Sequence, residues 1–235
     1  VSQGRSASFT GITREAIERD HSRRELRLRA EVGHDVLDDD ALDASLDAHL
    51  AAWDGQRDLH VFGYGSLIWN PCLEHGGRDV ATVHGYHRRF CHWSHAYRGT
   101  PEWPGLVLAL DRGGACRGVI YRLPAERARH ELRLLWRREM FAGSYRAKWL
   151  RAHTDHGIVP ALGFVMNHAS PLYAGRLADA DVVERLARAH GQFGSGADYL
   201  CQTAAALHAV GLADPHLDRL VALLAQREIG HTAAA

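Results

Sequence analysis

The stretch that most constrains this chain is FGYGSLIW, residues 62 to 69, where an apolar strand pattern runs straight into a glycine-rich turn. Leu59, Val61 and Phe62 favour extended backbone, whereas Gly63 and Gly65 allow angles closed to other residues and leave the amides uncovered. Such a turn can aim several N–H groups at one anion. It matches neither common phosphate pattern: no Gly-Lys-Ser/Thr follows, and the third glycine of GxGxxG falls on Ile68. A nucleophile elbow fails too, because the positions flanking Ser66 that should be glycine are Tyr64 and Ile68. Two readings stay open: a small cradle of neutral donors suited to a carboxylate, or a tight strand-to-loop turn packed by Tyr64 and Trp69.

Charge narrows the partners. The 28 basic and 28 acidic residues cancel, leaving no excess to attract nucleic acid or an anionic membrane surface. No apolar run reaches membrane-spanning length, and residues 1 to 30, rich in Arg and Glu, lack a signal-peptide core. A soluble, cytoplasmic protein is expected, and Cys72, Cys91, Cys116 and Cys201, without CxxC spacing, fit reduced thiols better than a disulfide framework. His87, His92 and His95 beside Cys91 invite a zinc reading. The 87 to 95 segment alternates like a strand, however, which would point His92 away from the other two, and no second ligand cluster completes a site. No metal and no cofactor are therefore expected.

Along the chain, an N-terminal helical extension, residues 1 to 57, precedes a mixed domain, residues 58 to 230. Residues 13 to 31 alternate Arg and Glu like a solvated helix. Asp38 to Asp40 signal a second helix start, and Leu42, Leu46, Leu50 and Trp53 form an apolar stripe that must dock either on its own domain or on a partner protein, with Gly55 ending it. Strands are expected at 59–64, 80–92, 105–111 (continuously apolar and therefore central) and 116–122, then at 145–153 and 158–166. Pro124 should open a helix lasting to about Phe141, and the tail should carry helices at 179–190, 197–210 and 216–228.

On the Pro124 helix, Leu132, Leu135 and Trp136 form the buried stripe, and Glu139 continues it as the one proton acceptor on an apolar face beside a plausible pocket. Either Glu139 pairs with Arg137, Arg138 or another cation, or it is a partly desolvated acid with a pKa raised towards that of a general base.

Four segments in order, FGYGSLIW, GYHRRFCHWSHAYRGTPEWPG (85–105), RGVIYRLP (117–124) and RREM (137–140), together resemble the ChaC-type gamma-glutamylcyclotransferases, as does GSGADYL (194–200). The resemblance spans about 59 to 228 and implies an α+β fold, a small curved or barrel-like mixed β-sheet with flanking helices. It implies cleavage of glutathione into 5-oxoproline and cysteinylglycine. On that pattern Tyr64, Gly65, Ser66 and Leu67 cradle the gamma-glutamyl head, Glu139 is the acid–base residue and Tyr145 is the pocket tyrosine. Arg98 is either a supporting charge or a solvated loop residue. The stretch Met140 to Ser144 between the glutamate and the tyrosine resembles the bacterial branch, and Gly196 stands where relatives commonly carry a polar residue.

Alternatives from this pattern are a cyclotransferase for other gamma-glutamyl amines or dipeptides, and a noncatalytic gamma-glutamyl-binding module. The leaving-group preference, oligomeric state and role of residues 1 to 57 are not encoded in any motif.

Overall fold

In the computed structural model, residues 11–19 and 36–232 are described. Five strands, β1 (Leu59–Gly63), β2 (Gly77–Ser94), β3 (Gly105–Leu123), β4 (Tyr145–Thr154) and β5 (Gly157–Met166), close into a barrel in the order β1-β3-β2-β4-β5. The ladders are antiparallel except at the closure, where β1 meets β5 in parallel at Val61 and Leu162, and at an extra β3–β5 contact between Leu110 and Val165. Closure leaves the small sheet without a free edge. Around it lie α1 (Arg14–Glu18), α2 (Asp39–Leu50), α3 (Ala125–Leu135), α4 (Asp179–Arg188), α5 (Gly196–Ala209) and α6 (Pro215–Thr232), with a two-stranded ribbon, β6 (His190–Gly191) and β7 (Gly194–Ser195), before α5. This is the α+β architecture expected from the resemblance. No helix among the described residues is long and apolar enough to cross a membrane.

The two strands expected at 105–111 and 116–122 are one. Gly113 and Gly114, at φ 98° and 68°, let the backbone of β3 bend without leaving its ladder with β2. They are the two residues of a bulge that oppose the single Gly85, at φ 83°, between His84 and Tyr86 of β2. A second bulge, between Phe90 and His92, interrupts the side-chain alternation expected over 87 to 95. His95 lies just past the end of β2 at Ser94, outside the alternation, and it lines the same cleft as His92 rather than the opposite face.

Helix α2 spends its stripe on its own domain. Asp38 caps it by accepting from the Ala41 N–H at 2.8 Å, and Leu42, Leu46 and Leu50 are buried in one core with Leu132, Leu135 and Trp136 of the helical segment opposite. Each such leucine contributes about 1.5–3 kcal/mol, so the packing outweighs the exposed Asp43–Arg133 pair beside it. The partner-protein reading of this stripe is thereby removed. Of the helix expected over 13 to 31, Arg14–Glu18 is helical and residues 20 to 31 lie outside the described residues. The described part is not a solvated face: Ile17 is buried against Leu134.

Helix α3 also departs from its expected run to Phe141. It is α-helical only to Leu135, after which Trp136–Met140 form a wider π turn. Such turns alter the direction of the side chains that follow, and they concentrate at functional sites. The tail helices α4, α5 and α6 pack with Phe90, Leu106 and Leu108 in a second core, placing the start of α5 beside the open end of the barrel.

Candidate active site

At the barrel end where β1 gives way to its glycine turn, one cleft gathers every residue singled out by the sequence: Tyr64, Gly65, Ser66, Leu67, Arg98, Glu139 and Tyr145. The turn itself is fixed from below. Ile68 N–H donates to Gly65 O at 2.9 Å and Asn70 N–H to Ser66 O at 2.8 Å, so Gly65, Ser66 and Leu67 begin a single helical turn. Amides at such a start have no acceptor within the turn. Tyr121 Oη donates to Leu67 O at 2.7 Å, and the buried Arg88 donates from Nε to Tyr64 O at 2.5 Å while its Nη1 reaches Asp214. The close approach of β3 requires Gly118, because a Cβ there would lie 2.4 Å from Gly63 O. The turn is tightly packed from below, and the residues that begin it line the cleft.

Glu139 sits on the π turn with its side chain 15% exposed, and Arg138 Nε donates to its Oε1 at 3.0 Å. The same guanidinium donates from Nη2 to Ser66 Oγ at 2.9 Å and from Nη1 to Asn70 O at 2.7 Å. One buried cation therefore ties the acid to the glycine turn. Burial pushes the Glu139 carboxyl above its ordinary value, with the charge of Arg138 pulling the other way. Glu139 is thus paired with Arg138 and at the same time raised by burial. Arg137 is spent elsewhere, on Asp39.

Glu139 is not the only acid on the apolar face. Glu131, on α3, is 1% exposed and receives two hydrogen bonds from Arg14, at 2.7 and 2.9 Å, and a third from Glu74 N–H at 3.0 Å. The apolar stripe alone does not distinguish the two.

Three tyrosines surround the acid. Tyr64 Oη donates to Phe164 O at 2.9 Å, and His92 Nδ1 lies 3.0 Å from Tyr145 Oη. Burial, reinforced by the charge of Glu139, pushes the Tyr64 and Tyr145 phenols well up, and burial pushes Tyr199 to about 12. These hydroxyls stay protonated at neutral pH; Tyr64 and Tyr145 donate to Phe164 O and Leu108 O, whereas Tyr199 Oη accepts from Leu108 N–H. His95, in the same cleft, is pushed down by burial and is neutral there.

Arg98 is a wall of the cleft, not a solvated loop residue. It is 4% exposed, its guanidinium lies 5.3 Å from the Tyr199 ring centre and 5.9 Å from that of Trp69, and Nη1 donates to Ser195 O at 3.4 Å. Sequence reasoning missed Arg138 as the bridge and Tyr199, and weighed His92 and His95 only as metal ligands rather than as lining of the cleft. Arg138 lay within RREM and Tyr199 within GSGADYL, so both carried a signal. Among the described residues no group of three or more His, Cys, Asp or Glu side chains could hold a metal ion. A carboxyl with a raised pKa, a fixed cation and a row of open amides can bind a small zwitterion and move one proton at it.

Comparison with known proteins agrees in extent. A family model described as ChaC-like protein matches residues 59–227. The glutathione-specific gamma-glutamylcyclotransferase of Escherichia coli (strain K12) is 40% identical over 179 residues, which is 76% of this chain and 78% of that one. Glutathione-specific gamma-glutamylcyclotransferase 1 of Danio rerio is 29% identical, covering 72% of this chain and 90% of its own. A crystal structure of a yeast gamma-glutamyl cyclotransferase specific to glutathione shares the fold, with TM-score 0.67 and 22% identity over 72% of this chain and 96% of that one.

Proposed function

The chain belongs to the ChaC-like protein family, and from that premise we propose that it is a glutathione-specific gamma-glutamylcyclotransferase, a lyase of glutathione degradation. It releases 5-oxoproline and cysteinylglycine. The observation that carries this reading is the guanidinium of Arg138 shared between Glu139 and Ser66, which holds a proton acceptor against the open amides of the glycine turn.

In glutathione the α-amine can reach the γ-carbonyl carbon and close a five-membered lactam. A new C–N bond forms to the α-nitrogen, the old C–N bond to cysteinylglycine breaks, and no water is consumed. The protein supplies neither nucleophile nor electrophile. It holds a folded conformer, and well-oriented intramolecular reactions gain on the order of 7–11 kcal/mol from that alone. The amides of Gly65, Ser66 and Leu67, with Tyr64 beneath them, hold the α-carboxylate, and Arg98 adds positive charge to the same wall. Glu139 takes the proton of the α-ammonium and returns one to the departing nitrogen, a service typically worth roughly 100- to 10,000-fold. Tyr145, kept protonated by burial, is a donor on the opposite wall. The four free thiols of the chain suit a reducing compartment, the cytoplasm.

The test is to incubate the chain with glutathione and with N-acetylated glutathione and follow 5-oxoproline and cysteinylglycine. Glutathione should yield both products in equal amounts, and the acetylated compound neither, because its nitrogen has lost the attacking lone pair. Release of cysteinylglycine from the blocked compound would replace lactam closure with hydrolysis or transfer through an acyl-enzyme.

A further inference from the structure

The described residues before α2 do not lie on the protein as a passive tail. Gly11 and Ile12 line the same cleft as Glu139, although the matched family region begins only at residue 59. Three contacts fix them there. Asn70, itself 8% exposed, donates from Nδ2 to Ile12 O at 2.8 Å, and Cys72 Sγ reaches the same carbonyl at 3.3 Å. Two residues on, Arg14 forks onto the buried Glu131 of α3 at 2.7 and 2.9 Å. Ile17 then packs against Leu134 of the same helix. A bidentate pair with one partner out of water, a carbonyl shared by two donors and a buried isoleucine exceed what a loosely adhering terminus needs.

What this strap offers the cleft is chemically specific. Gly11 has no side chain, the Ile12 carbonyl already accepts from Asn70 and Cys72, and the side chain that the strap brings to the cleft is that of Ile12, 9% exposed and backed by Ile17 and Leu134. That surface cannot hold the charged α-carboxylate and α-ammonium of a γ-glutamyl head, which need the polar turn. It can pack against the portion that departs. We propose that residues 11–14 form a specificity wall of the substrate site, with Ile12 contacting the leaving portion of the γ-glutamyl compound and Arg14–Glu131 holding the strap in place. This rests on the cyclotransferase reading above.

The test uses the full chain. kcat and KM for glutathione are measured for the unaltered protein, Ile12→Ala and Arg14→Ala, together with the inhibition constant of γ-glutamyl methylamide, a probe with the head but almost no leaving portion. Loss of an apolar contact to substrate should raise KM for glutathione by at least about threefold in both variants, with kcat within about twofold and inhibition by the probe unchanged. An unchanged KM in Ile12→Ala overturns the proposal, as does an equal loss for glutathione and the probe, which would mean general loosening of the cleft. Should Ile12→Ala melt below the assay temperature, Ile12→Leu, which keeps volume and alters shape, carries the same comparison. If the unaltered chain forms no 5-oxoproline, the cyclotransferase reading fails and this proposal with it; normal turnover with an indifferent Ile12 sinks the strap alone.

Discussion

Glu131 and Glu139 lie on one continuous helical segment and are both withdrawn from water, yet their surroundings differ in kind. Glu131 occupies the regular α-helical part, with both oxygens occupied by Arg14 and one shared with Glu74 N–H. Glu139 occupies the π turn, faces the cleft, and among the described residues has one ionic partner, Arg138. The first is a structural clamp, and the second is the acid–base group of the proposed reaction. Burial by itself does not make a carboxylate reactive; what matters is whether its acceptor capacity is consumed by the fold or left facing a cavity.

Exchanging each acid for its amide separates the two regions most sharply. In the proposed reaction Glu139→Gln keeps shape and removes basicity, so kcat for 5-oxoproline release should fall at least about 100-fold. Thermal stability should move the other way. Because the Glu139 carboxyl is raised in the folded state, ionising it costs stability: its contribution is present below the unfolded pKa and is lost as pH rises through the folded one. At neutral pH Glu139→Gln should melt at or above the temperature of the unaltered chain. Glu131→Gln should instead lose about 1–3 kcal/mol of stability, the worth of hydrogen bonds to a charged group, while retaining far more activity than Glu139→Gln. A stable Glu131→Gln beside a destabilised Glu139→Gln would break the comparison.

A smaller effect is expected from the cation. Arg138 opposes the burial that raises Glu139, so Arg138→Met should move the acid limb of the pH–rate profile to higher pH as well as lowering kcat by loosening Ser66 and Asn70. A limb that moves to lower pH would show that Arg138 does not set the charge of the acid. Ser66→Ala should matter least. Its hydroxyl accepts from Arg138 and attacks nothing in lactam closure, so a loss of no more than about tenfold in kcat/KM is expected. Complete loss of turnover in a folded Ser66→Ala would return Ser66 to consideration as a nucleophile.

Much of the site was legible because its parts are local. The glycines of FGYGSLIW announce an open turn wherever it sits, and Glu139 interrupts an apolar stripe that can be counted along the chain. The same counting passes over Glu131, whose role is set by Arg14, far away in sequence and outside any motif. Arg138 could be suspected as a partner of its neighbour, but its hold on Ser66 and Asn70 depends on how α3 docks against the turn. The fold followed the same rule. Alternating strands and capped helices were read close to their observed ends, whereas the bulge at Cys91, the glycine-bent continuity of β3 and the π turn at Trp136 are set by barrel closure and tertiary packing. No local pattern marks them.

The measurement closest to the central claim is the titration of the acid itself. With glutamate δ-carboxyls labelled with carbon-13, the resonance of each is followed against pH by NMR in the unaltered chain, in Glu139→Gln and in Glu131→Gln. One carboxyl should titrate above the ordinary glutamate value of about 4.3, vanish in Glu139→Gln and persist in Glu131→Gln. If the resonance lost in Glu139→Gln titrates at or below that value, Glu139 is an ordinary paired carboxylate, and the account of it as a poised proton carrier is contradicted.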